Sequence, residues 1–144
     1  MCAKEYLMRA TKLSNKINAD LLELENLRDM IESVSAVDYT KNRVTGGGEN
    51  AVESGVMKLV EISEKINQEI DDYADTKELI RSQIADLPDE KQRILLQQRY
   101  LTGMTWDEIA EEMRYEKRNI QYIHRKALDA FKTLHSFALA GVVK

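Results

Sequence analysis

The sequence is poor in the residues that staple or punctuate a fold. Its 144 residues include one cysteine, one proline and six glycines, and only 6% are aromatic. A lone Cys2 excludes an internal disulfide framework and any cysteine-based zinc site. So few glycines and aromatics argue against a β-sandwich or barrel, which spends both on turns and packing. No apolar run approaches the ~18 residues that would span a bilayer. Met1 to Tyr6 carries an acid and has no apolar core segment, which excludes a secretory signal peptide. The two histidines, His124 and His135, are too far apart to share one helical turn. What is plentiful is Leu, Glu, Lys, Ile and Ala, with 32% of residues charged. The expectation is a reduced, cytoplasmic, all-α protein of one domain or two small ones.

Charge is unevenly spread along the chain. The net charge is −4, yet residues 1–86 hold 11 basic and 17 acidic side chains, and residues 87–144 hold 10 and 8. Between Arg114 and Lys132, six basic residues (Arg114, Lys117, Arg118, Arg125, Lys126, Lys132) face only Glu116 and Asp129. A basic segment in an acidic chain points to an anion-binding surface without naming the anion.

Apolar residues recur in steps of three and four from Tyr6 through Ala10, Leu13, Ile17, Leu21, Leu24, Leu27 and Ile31 to Val34, the mark of an amphipathic helix with near-heptad spacing. The pattern stops there. Residues 35–50 are polar and contain Gly46-Gly47-Gly48, which predicts a flexible glycine-rich loop. A phosphate loop would need a preceding strand and a Gly-Lys-Ser/Thr ending, whereas Glu49-Asn50 follows here. Asn50 then fits a helix N-cap with Glu53 three residues on. A second stripe runs Val52, Val56, Leu59, Ile62, Ile66, Ile70, Tyr73, Ile80, Ile84, Leu87, interrupted at Lys77. Two such helices cover their apolar faces by folding back antiparallel, so residues 1–86 are expected to form a coiled-coil-like hairpin able to self-associate into a homodimer.

Pro88 breaks this pattern, flanked by acids suited to a helix start. A third helix is expected to reach Leu101 and stop at Gly103. Thr105-Trp106-Asp107-Glu108 is a capping box that opens a short fourth helix with Trp106, Ile109, Ala110 and Met113 inward. Arg114-Tyr115-Glu116 has room only for a tight turn before a fifth helix with Ile120, Ile123, Ala127, Leu128 and Phe131 inward. The expected domains are thus the hairpin over 1–86, a trihelical helix-turn-helix module over 87–136 and a fraying tail over 137–144.

A short helix, a three-residue turn and a helix that begins with basic residues form a helix-turn-helix arrangement, whose second helix presents its N-terminal side chains to the major groove. With Ile120, Ile123 and Ala127 inward, Lys117, Arg118, Gln121, Tyr122 and Arg125 lie on the opposite side, with Asn119 at its edge. Lys and Arg can read guanine, Gln or Asn adenine, and Tyr a thymine methyl. Lys126 and Lys132 suit phosphates. The motif carries an expectation of double-stranded DNA binding.

The stretch Leu87 to Phe131 resembles region 4 of sigma-70-type RNA polymerase factors, through Leu87-Pro88-Asp89-Glu90, Arg99-Tyr100 and Gly103-Met104-Thr105-Trp106-Asp107-Glu108-Ile109-Ala110. The whole chain is similar to small phage and prophage regulators of Gram-positive bacteria, in which a helical hairpin precedes such a module. That resemblance is carried by Met1 to Leu27, Asp71 to Leu87, and Tyr115, Ile120, Ile123, His124, Lys126, Ala127 and Leu128. It implies a transcription regulator related to late-operon activators and working in the bacterial cytoplasm, with double-stranded DNA and RNA polymerase as partners. It also implies that Thr105 and Trp106 open a helix whose amides face a phosphate. Two positions depart from the sigma pattern. Arg114 stands where glycine is usual, and a left-handed non-glycine residue costs on the order of 1 kcal/mol, which a phosphate contact by Arg114 would partly offset. Glu116 replaces a Ser or Thr and is a poorer N-cap.

No nucleophile–base pair or metal-ligand spacing is present, so neither an enzyme nor a cofactor is expected. Two alternatives to a regulator remain at this stage. One is a small-terminase-like packaging component, which also joins a DNA-binding helical module to oligomerising helices. The other is a coiled-coil adaptor that binds a protein and no DNA.

Overall fold

The computed structural model describes residues 1–41 and 46–141, with side chains described for 1–33 and 52–141. These residues are helical almost throughout, with no strand among them. In chain order they form α1 (Ala3–Leu7), α2 (Arg9–Lys41), α3 (Gly46–Ala85), α4 (Glu90–Leu96), a π-helical turn (Gln97–Leu101), α5 (Trp106–Met113), α6 (Lys117–Leu134) and α7 (Ser136–Gly141). None of them is long and apolar enough to cross a membrane.

Several boundaries differ from the sequence expectation. The loop expected over 35–50 is mostly helix: α2 continues to Lys41 and α3 starts at Gly46, leaving 42–45 outside the described residues. Asn50 accordingly sits inside α3 and does not cap it. A long helix carried by tertiary contacts elsewhere along its length tolerates weak local propensity at one end. The tail expected to fray from Ala138 instead forms α7, whose Leu139 is buried.

The third helix does reach Leu101, but by changing its pitch. Leu95 and Leu96 are buried, and so are Tyr100 and Leu101, five residues further on. A spacing of five falls off the face of a 3.6-residue helix but matches an i→i+5 turn. Backbone bonds from Thr102 N to Gln97 O (3.0 Å) and Met104 N to Gln98 O (2.9 Å) close this segment. Gly103 then takes φ +79°, the left-handed conformation that glycine adopts without strain.

The chain divides into two compact units at points the sequence did not mark: Met1–Leu13 with Tyr73–Lys144, and Ser14–Asp72. The first unit is built around α6, which packs against α1, α4, α5 and α7. Its core joins Ile120, Ala127 and Phe131 of α6 to Leu95, Leu96, Ile109 and Leu139. Tyr6, Ile80 and Ile84, which their spacing assigns to the hairpin, complete the same core together with Leu7. The Tyr6 ring lies 5.8 Å from that of Phe131, and its hydroxyl donates to Gln83 Oε1 at 2.7 Å. Periodicity shows that a residue faces inward, and it does not show which core receives it.

The second unit has much less inside. Ile17 and Ile66 are its buried apolar side chains among those described, and Glu69 is buried beside them. Ion pairs join Lys16 to Glu69 (3.2 Å) and Lys65 to Asp20 (3.8 Å). At Gly55 an added Cβ would come within 2.7 Å of Ile31 Cγ1. In these contacts the numbers on α3 fall as those on α2 rise, the order that antiparallel neighbours give.

Candidate nucleic-acid interface

The sequence sets up α5, the turn and α6 through local chemistry. Thr105 and Glu108 make the full capping box: Glu108 N donates to Thr105 Oγ1 at 3.2 Å and Thr105 N to Glu108 Oε1 at 2.8 Å. That pairing holds the Glu108 carboxyl below its ordinary pKa, because the Thr105 amide and hydroxyl bond its charged form. At the other end of α5, Arg114 adopts φ 61°, ψ 43°. Its amide donates to Glu111 O (3.3 Å) and the Tyr115 amide to Ala110 O (3.0 Å), a Schellman closure with arginine in the place that favours glycine. Helix α6 opens at Glu116, whose side chain caps nothing, as its poor N-cap character predicts.

On α6 the buried residues Ile120, Ala127 and Phe131 define an inward stripe, with Ile123 half-buried beside it. At 100° per residue, Arg118, Tyr122 and Arg125 fall directly opposite, with Gln121 and Lys126 at the margins. All five are exposed, as are Lys117 and Asn119. Lys132 continues the same stripe about 21 Å along the axis from Arg118. Lys117 is engaged, its ammonium paired with Asp107 on the first turn of α5. Lys126 lies over the Tyr122 ring, 5.6 Å from its centre, beside a cleft of about 250 Å³ also lined by Asp89 and Lys91. Arg114 is exposed at the turn.

Thr105 and Trp106 are arranged differently from the simple phosphate-facing expectation. The Thr105 amide and hydroxyl oxygen are committed to Glu108, and Asp107 and Glu108 add two carboxylates to the same helix end. Trp106 is half-buried in an aromatic corner. The Arg99 guanidinium lies over its ring at 4.4 Å, and the His124 ring meets it edge-on at 4.6 Å. Arg99 also donates to Met104 O at 3.1 Å, so it braces the turn before α5. Tyr100 Oη and His124 Nε2 are 2.7 Å apart, which ties the π-helical turn to α6. Burial lowers the His124 pKa to about 4, helped by the charges of Lys4 and Arg99, and burial raises that of Tyr100 to about 12. Both side chains are therefore uncharged at neutral pH.

Among the described residues no group of three His, Cys, Asp or Glu side chains could hold a metal. A family model described as a protein of unknown function, DUF1492, matches residues 33–132. The chain belongs to the DUF1492 family. The match takes in all of α3 to α5 and most of α6. No curated protein and no solved structure matches this DUF1492 chain. Two features of the site had no signal in the sequence. Arg93 braces the Pro88 corner through Leu87 O (2.6 Å) and Pro88 O (3.0 Å). Lys4, 95 positions before Arg99, bears on His124 only because α1 packs against α6.

Proposed function

We propose that this protein is a sequence-specific double-stranded DNA-binding transcription regulator of phage or prophage type. It acts at promoters with or through RNA polymerase in the bacterial cytoplasm. In this reading α5, the Arg114 turn and α6 are a helix-turn-helix resembling sigma region 4, and α6 enters the major groove. The observation that carries it is the exposed stripe of Arg118, Tyr122 and Arg125, flanked by Gln121, on the N-terminal half of a helix whose other side is core. A groove reader needs such side chains on a rigid, well-packed helix, and α6 is the best-packed helix of its unit. Asn119 and Lys117 flank the stripe, Lys117 after release from Asp107. Arg114, Lys126 and Lys132 supply phosphate contacts.

The second unit supplies self-association as a helical hairpin. Leu22, Met30, Met57 and Val60 are exposed there while little is buried, which favours a homodimer that covers them. Two modules in one dimer would read two half-sites.

Selection of host and prophage genomic fragments by the purified protein near physiological salt tests the reading. Enrichment upstream of an operon supports a regulator, and enrichment within packaging genes favours the terminase-like alternative. Recovery of no fragment, with binding to a protein bait such as RNA polymerase, favours the adaptor. Arg118→Ala or Arg125→Ala should cost about 1–3 kcal/mol at the selected site and relax preference at one base pair.

A further inference from the structure

The two compact units differ in charge as much as in burial. Ser14–Asp72 holds 6 basic and 13 acidic side chains, a net of −7, while the rest of the chain holds 15 and 12, a net of +3. The split follows the structural boundary, because Met1–Leu13, itself basic, belongs with the later helices.

Within the second unit the acids crowd the exposed apolar residues. Leu22, Met30, Met57 and Val60 are each more than half exposed. Glu25 lies one turn after Leu22, Glu53 and Glu61 one turn either side of Met57, and Glu64 one turn after Val60. Such spacings make each carboxylate a neighbour of its apolar residue on the helix surface. All four acids are exposed, and none has a cation within 4.0 Å among the described residues. The unit's own cations do little to balance them. Lys16 and Lys65 pair with Glu69 and Asp20 between α2 and α3, which leaves Arg28 and Lys58 against nine further acids among its described side chains.

Two copies that cover this face on each other bring their carboxylates to helix-packing distance, about 8–10 Å between axes. The Debye length is about 10 Å at 0.1 M salt and about 3 Å at 1 M, so the repulsion acts at low salt and is screened at high salt. Apolar burial, which favours the pairing, is not screened. We propose that the acids around Leu22, Met57 and Val60 form a charge gate on self-association, so that two copies pair through the second unit when ions screen it and separate when they do not. This rests on the homodimer reading of that unit. DNA binding by the basic unit responds with the opposite sign, because affinity for phosphates falls as salt rises. Rising salt thus favours paired copies while it loosens each copy's hold on DNA.

The test is sedimentation velocity of the full chain, without DNA, over a range of protein concentrations in 50, 150 and 500 mM sodium chloride. Circular dichroism checks that each variant folds. The parent's dimer dissociation constant should fall by about fivefold or more from the lowest salt to the highest. The combined variant Glu25→Gln, Glu53→Gln, Glu61→Gln and Glu64→Gln keeps side-chain shape and helix propensity while removing four charges. It should pair at 50 mM about as well as the parent does at 500 mM, with a salt effect of about twofold or less. Glu111→Gln with Glu112→Gln, which removes acids from the first unit, should leave the parent's salt response unchanged. If the parent pairs equally at all three salts, or the four-Gln variant keeps the parent's response, the gate is wrong and the homodimer reading stands. Pairing that weakens with salt would mean contact between the oppositely charged units and would overturn the gate. A parent and a four-Gln variant that are both monomeric at tens of micromolar in every salt would remove the homodimer reading and the gate with it.

Discussion

Arg114 is the residue at which local strain and proposed function separate most cleanly. Its left-handed conformation at φ 61° is one that glycine adopts freely. Arg114→Gly should therefore raise stability by about 0.5–1 kcal/mol in denaturant melts. If the guanidinium meets a phosphate, the same variant should lose DNA affinity, so the two measurements would move in opposite directions. Glu116→Ser should add about 1 kcal/mol by supplying the missing N-cap acceptor. His124 gives a pH signature. Its folded pKa of about 4 lies below the ordinary value of 6.5, so the unfolded chain binds the extra proton between those limits. Its contribution is complete above about pH 6.5, declines as the pH falls and is spent near pH 4. Melting followed across that window should show a shallower acid-side decline for His124→Gln than for the parent. An unchanged slope would argue against a desolvated, neutral imidazole. These residue-scale features were half legible in sequence: the Arg114 strain and Glu116 deficit followed from residue type and position. The His124 environment did not, because it depends on Tyr100, Trp106 and Lys4 arriving from three other elements.

At the scale of elements, signals local in the chain held and signals requiring a partner did not. The capping box at Thr105–Glu108, the Gly103 stop and the short α5 with its turn are set by neighbouring residues, and the structure has each of them. Asp89 N-caps α4 by accepting from Gln92 N at 3.1 Å, and acids beside Pro88 had marked that start. The extent of α2 and α3 across polar and glycine-rich sequence was not legible, since helix propensity there is weak. The π-helical turn was not legible either: its cause is the need to bury Leu95–Leu96 and Tyr100–Leu101 on one face, which emerges only with α6 in place. Helix α7 docks through buried Leu139, with Ala138 partly buried beside it. Leu139→Ala should lower stability by about 2 kcal/mol or more, a cavity cost, while Phe137→Ala should be near neutral because Phe137 is 93% exposed. Equal effects from the two would mean that α7 does not dock through Leu139.

Across the whole molecule, burial is concentrated in the first unit. Its core draws on α1, the end of α3 and every later helix, whereas the second unit leaves apolar side chains of two long helices uncovered. If a second copy covers them, the apparent melting temperature should rise with protein concentration. Leu22→Glu with Met57→Glu should then give a monomer by sedimentation and remove that dependence. A parent chain that sediments as a monomer at tens of micromolar would remove the homodimer from the proposal. The all-helical class was legible from composition and spacing alone. The partition into units was not, because the stripe through Tyr6 and the stripe through Ile80 and Ile84 look the same whether they meet each other or α6.

The burial of Tyr6 and Leu7 against α6 also governs how this protein can be cut. A fragment trimmed to the stretch that defines the family, residues 33–132, would lack both side chains and Leu139 as well. The Phe131 ring would lose Tyr6 as its neighbour, and α6 would keep its charges but lose part of the floor beneath it. Such a fragment is expected to be recovered as aggregate or as a mobile, weakly helical chain. A soluble, folded piece should need the first thirteen residues restored, whether in their natural order or spliced ahead of Tyr73.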